Sequence, residues 1–133
     1  MSVHDTLLPP GWPRPRGYSN GVAARGRLVF TAGVIGWDAD EVFRQHDLLG
    51  QFRQVLRSTL AILHEAGAGP EHVVRMTWYV VDRDDYLARA RELGEAWREL
   101  MGRNYPAMAV LQVAGLVERD ALLEIETTAV VPE

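Results

Sequence analysis

The sequence predicts an α+β fold: a mixed sheet with two helices on one face. Two observations predict it. Two stretches place apolar residues at spacings of three and four, the mark of amphipathic helices. Runs rich in Val, Thr, Ile and aromatic residues lie before, between and after them. The resulting order is β-β-α-β-α-β-β, and both helices find their natural packing on one side of the sheet.

Each element has its own signals. Residues 1–17 carry Pro9, Pro10, Pro13 and Pro15 with Gly11 and Gly17, which predicts an extended, irregular lead-in. Strands are expected over Ser19–Ala24 and Leu28–Ala32, joined by a turn at Arg25-Gly26-Arg27. Gly33 and Gly36 then break the pattern. In "DLLGQFRQVLRSTLAILHEA", Leu48, Phe52, Val55, Leu56, Leu60 and Leu63 form one apolar stripe. Asp47 is its expected N-cap and Gly67 its stop. Val73 to Val81 reads as a strand. A second helix is expected from Asp84 or Asp85 to Met101, with the stripe Tyr86, Ala90, Leu93, Trp97 and Leu100, and Gly102 ending it. Ala107–Ala114 and Ala121–Val131 complete the set. No repeat or linker interrupts the 133 residues, so one domain is expected over 1–133.

Composition narrows the chemistry. All 14 basic residues are arginine, which excludes a lysine Schiff base. The absence of cysteine excludes disulfides, thiolate nucleophiles and thiolate metal sites. A net charge of −4 argues against broad phosphate-backbone binding. The start "MSVHDTLLPPGW" lacks the pattern of a secretory signal, and no apolar run approaches the ~18 residues of a membrane span. A soluble cytoplasmic protein is expected. The histidines, His4, His46, His64 and His72, form no ligand-spaced pair, so no metal is expected. His64 sits near a helix C-terminus, where a cation is favourable in any case. No motif for a cofactor or phosphate loop is present.

Three features could carry function. In "LLEIET", Glu124 and Glu126 share one strand face, with Leu123 and Ile125 opposite. That face either meets solvent or aims a carboxylate into a cleft, where it could hold or activate water. Tyr18 either anchors the lead-in by its ring or closes a pocket with its phenol. In "MTWYVVD", Trp78 and Tyr79 fall on opposite faces, a hint that the strand is covered on both sides, by helices and by another subunit.

Taken together, "YSNGV", "VFTAGVIG", "QFRQVLRSTLAILHEAGA", "VVRMTWYVVD", "YPAMAVLQVAGL" and "ALLEIETTAVV" resemble the RidA (YjgF/YER057c/UK114) family over roughly residues 9–131. The resemblance implies a chorismate-mutase-like fold, a homotrimer around a central barrel, and ligand clefts between subunits. It also implies hydrolysis of enamine or imine acids to keto acids and ammonia, without a cofactor. Tyr18, Gly33 and Glu124 match the family's tyrosine, strand-end glycine and final-strand glutamate. Other positions depart from it. The arginine that active members carry two residues after the proline is Met108 here. Their nearby cysteine is Val110, their serine is Ala32, and their helix asparagine falls near Arg91.

An arginine at position 108 would pair with a substrate carboxylate; methionine has no donor. Losing one partner of such a buried pair costs roughly 2–5 kcal/mol. Arg91 is the first candidate to replace it, ahead of Arg75 and Arg103. Met108 and Val110 also suit a more apolar ligand, anchored by Tyr18 and the Gly33 N–H. The resemblance thus supports a divergent enamine or imine hydrolase, with Glu124 placing water. A trimer that only binds a metabolite is the alternative. Ribonuclease activity, attributed to some members, is disfavoured by the acidic charge and the lack of a basic stripe.

Overall fold

The computed structural model describes residues 3–133, so Met1 and Ser2 of the lead-in lie outside the described residues. Its strands are β1 (Asp5–Leu7), β2 (Gly21–Ala23), β3 (Arg27–Phe30), β4 (Val34–Ile35), β5 (Val73–Val80), β6 (Ala107–Gln112) and β7 (Leu123–Val131). Its helices are α1 (Leu48–Glu65), α2 (Arg83–Ala88) and α3 (Ala90–Met101), with a 3₁₀ turn at Pro70–His72. The main sheet runs β3-β7-β5-β6, and β4 also pairs with β7. It is mixed, as expected: β5 and β6 are parallel, and the β7 pairings are antiparallel.

One face of the sheet is dry. β5 alternates, sending Met76, Trp78 and Val80 inward, and β7 sends Leu123, Ile125 and Ala129 to the same side. α1 covers them with Phe52, Val55, Leu56 and Leu63, all fully buried. Each such side chain contributes about 1.5–3 kcal/mol. Asp47 caps α1 as expected, accepting from the Gly50 N–H at 3.2 Å. Gly67, at φ 70°, turns the chain away from the helix end. α3 adds Leu93, Ala96, Trp97 and Met101 to the core.

Four expectations need correction. The lead-in is not wholly irregular, because Asp5–Leu7 pairs antiparallel with Gly21–Ala23. The turn at Arg25-Gly26-Arg27 does not fold a hairpin: β2 pairs with β1, and β3 pairs with β7. Gly26 has φ 149°, and a Cβ there would lie 2.2 Å from the Val131 carbonyl oxygen. The glycine lets the chain cross the end of β7 rather than reverse. A short strand, β4, follows Gly33. The second helix is broken at Arg89, whose backbone (φ −102°, ψ 7°) separates α2 from α3. Asp82 caps the first piece, accepting from the Asp84 and Asp85 N–H groups.

Candidate functional site

A cavity of about 440 Å³ opens between α2, α3 and β6. Its wall is aromatic: Trp78, Tyr86, Trp97 and Tyr105, with Leu93 between them. Trp97 stacks on Tyr105 at 14° between ring planes and donates its indole N–H to the Asn104 carbonyl at 3.2 Å. Trp78 meets Trp97 at 6.1 Å and Tyr86 edge-on at 6.3 Å between centroids. Burial pushes the Tyr86 phenol above its ordinary pKa, so it stays neutral. Met108 and Val110 line the same cavity. The register explains why. Met108 pairs with Met76 and Val110 with Trp78, so both take the helix-covered face.

Tyr18 reaches the cavity through its neighbour. Buried Ser19 donates its N–H to the Pro106 carbonyl at 3.0 Å and its hydroxyl to the Tyr105 carbonyl. It also bridges to Ala107 in parallel, fixing the lead-in against the start of β6. Tyr18 therefore lines the cavity while remaining 42% exposed.

The remaining residues of interest occupy the other face of the sheet. Glu124 pairs with Tyr79, whose neighbour Trp78 points into the core, so Glu124 points away from it. The Gly33 backbone presses against this carboxylate: a Cβ at Gly33 would lie 2.3 Å from Glu124 Oε2. Ala32 and Gly33 are exposed. Thr31, just before them, accepts from the Thr127 N–H at 3.1 Å through its hydroxyl oxygen and donates the hydroxyl to the Ala32 carbonyl at 2.8 Å. Next to Glu124, Tyr79 donates its phenol to Glu126 Oε1 at 2.7 Å. That bond, with some desolvation, holds the Tyr79 pKa above the usual phenol value of 10.0.

Within one chain, then, Tyr18, Met108 and Val110 come together, and Ala32, Gly33 and Glu124 come together on the opposite face. Arg91 joins neither group. Its side chain is 93% exposed and pairs with Glu95 at 3.6 Å. The cations that do line the cavity are Arg16 and Arg98, which the sequence did not single out. Arg98 follows Trp97 on the flank of the apolar stripe, and that position is its one sequence signal. Among the described residues, no group of three or more His, Asp or Glu side chains is placed to hold a metal ion, and no helix is long and apolar enough to cross a membrane.

Comparison with known proteins agrees on kinship. The endoribonuclease L-PSP family model matches residues 13–131. A RutC family protein of Synechocystis sp. is 37% identical over 123 residues, covering 90% of this chain and 91% of its own. The 3-aminoacrylate deaminase RutC of Acinetobacter baylyi is 30% identical, covering 94% of this chain and 96% of its own. A solved Rid family protein from Yersinia pestis superposes with a TM-score of 0.82 at 30% identity, covering 96% and 98% of the two chains. With sequence and fold matched over nearly the whole length, the chain belongs to the RidA (YjgF/YER057c/UK114) family, the family that the L-PSP model describes.

Proposed function

We propose that this protein is a single-domain, cytoplasmic homotrimer that hydrolyses an enamine or imine acid in a cleft between subunits. The observation that carries this reading is the Glu124 carboxylate held against the exposed Gly33 backbone, on the sheet face away from the helices. Because Glu124 and the Met108 cavity lie on opposite faces of one chain, a second copy is needed to bring them together. The relative named 3-aminoacrylate deaminase supports the reaction class.

In this mechanism an enamine first takes a proton on carbon and becomes the iminium. Glu124 accepts a proton from water as the water oxygen bonds to the iminium carbon. Glu124 then passes that proton to nitrogen, and as the C–N bond breaks the hydroxyl returns a proton to Glu124 and its oxygen forms the C=O bond, leaving ammonia and a keto acid. Tyr18 orients the substrate, and the Gly33 N–H holds its oxygen near Ala32. Met108 and Val110 shape the pocket around the substituent.

The test is ammonia release from a panel of imines generated in situ by an amino-acid oxidase. Glu124→Gln should lower the rate about 10²-fold or more, the usual worth of a positioned general base. Equal rates for wild type and Glu124→Gln would end the hydrolase reading. Met108→Arg, run beside them, separates two histories. Activity only in that variant would show a competent scaffold in which Met108 marks a lost or redirected function, and activity in neither would favour a trimer that only binds a metabolite.

A further inference from the structure

The aromatic cavity adjoins a groove of about 980 Å³, and the two share Arg16, Gly17, Tyr18, Arg98 and Tyr105. They are two compartments of one depression, with both shared arginines at the junction. Their chemistry differs sharply. The inner compartment is ringed by indoles and phenols. The outer one carries Arg14, Arg16, Arg98 and Arg103, with Glu71 its one carboxylate. That carboxylate already faces His72 at 3.5 Å. None of the four arginines forms an ion pair among the described residues. In a chain of net charge −4, four unpaired cations border one concavity.

A second observation comes from the inner wall. Trp78 is 5% exposed, and its indole N–H is buried with no hydrogen-bond partner. A buried donor left unmatched is costly and calls for an acceptor. The protein supplies none, and Trp78 is a wall of the cavity. Volume points the same way. A space of about 440 Å³ falls in the usual range for a drug-sized ligand, and a three-carbon acid would leave most of it unfilled.

We infer that this depression is a bipartite site for an aromatic 2-oxo or 2-imino acid, its ring among Trp78, Trp97 and Tyr105 and its carboxylate at Arg16 and Arg98. The anion is thus read from α3 and the lead-in, not from position 108. Arg14 and Arg103, farther out, strengthen the attracting field. The inference names the substrate class for the hydrolase proposed above and rests on that reading only for the reaction; recognition can be measured without turnover.

The experiment is isothermal calorimetry on the intact protein with three probes: phenylpyruvate, pyruvate and phenylacetone. Phenylpyruvate should bind at least tenfold more tightly than pyruvate, which lacks the ring, or phenylacetone, which lacks the carboxylate. Arg16→Gln and Arg98→Gln, both at exposed positions, should each weaken phenylpyruvate roughly tenfold and leave phenylacetone unchanged, the scale of one exposed charged hydrogen bond. Equal binding of phenylacetone and phenylpyruvate, or indifference to both substitutions, would overturn the site. So would a short single-stranded RNA that outcompetes phenylpyruvate through Arg98. Phenylpyruvate binding with these dependences but no ammonia release from any imine would remove the hydrolase and keep the site. Hydrolysis of small aliphatic imines with no preference for phenylpyruvate would do the reverse.

Discussion

At the scale of single residues, the position that decides most is Met108. It faces inward because it shares a register with Met76, and strand pairing rather than residue type sets that direction. The sequence could show that an expected arginine was missing. It could not show that Arg16 and Arg98 line one cavity, because they are 82 positions apart and the lead-in reaches α3 through the docking of Ser19 on β6. Arg91, near the family's helix asparagine, is the first candidate from the sequence; within one chain it lies against Glu95 on the exposed side of α3. Glu124 and Gly33 were legible as a pair of family positions; their contact, and the companion bond from Tyr79 to Glu126, were not.

That companion bond makes a test at high pH. The Tyr79 phenol has a folded pKa above its unfolded value, so its stabilising contribution is complete below about 10 and is lost as pH rises through the folded value. The chain has no lysine, so no ammonium group titrates in the same window. Phenolate absorbance should therefore show two late-ionising tyrosines, Tyr79 and the buried Tyr86, of which Tyr79→Phe leaves one, and the alkaline loss of stability should flatten with it. A late component of unchanged size after the substitution would show that Glu126 does not hold the phenol.

At the scale of elements, periodicity located α1, β5, β6 and β7 to within a few residues, because each buries one regular face. It missed β1 and β4, which are too short to show a period, and the break at Arg89, which no proline or glycine announces. It also missed how loops are tied to α1. Gln51 is fully buried there; its amide donates to the Gln45 and Asp120 carbonyls at 3.1 and 2.8 Å, and its oxygen accepts from the Leu122 N–H at 2.8 Å. Gly36 must be small to admit it, since a Cβ there would lie 2.6 Å from Gln51 Cβ. Replacing Gln51 with Leu keeps the bulk and strands three backbone groups. A loss of about 1–3 kcal/mol is expected, read from the urea midpoint at unchanged slope. An unchanged midpoint would mean that water replaces the amide at no cost.

At the scale of the whole molecule, the sheet has one covered face and one that a lone chain leaves open. Leu28 and Phe30 point away from the helices and remain 59% and 67% exposed. Their partner Val29 points inward and pairs with fully buried Ala129. Two large apolar side chains on an open sheet face are what the proposed trimer interface would cover. The sequence hinted at this only through the opposed aromatics Trp78 and Tyr79. If the face is the trimer interface proposed above, Phe30→Asp should shift the mass measured by light scattering from three chains to one while the far-ultraviolet spectrum is retained. Ammonia release should fall with it, because Glu124 would lose the neighbouring cavity. A trimer that tolerates the aspartate would place the interface elsewhere.

The bridge from Ser19 to Ala107 has a bearing on self-association of another kind. β6 is an outer strand of the sheet, and such strands offer unpaired amides that can recruit a foreign chain. The lead-in blocks the first rung of that ladder, where parallel growth along β6 would begin. A form clipped before Asn20 would keep the helices and the central strands yet present a sticky rim. Proteolytic trimming of the N-terminal segment would then act as a route to aggregation as well as to loss of Tyr18.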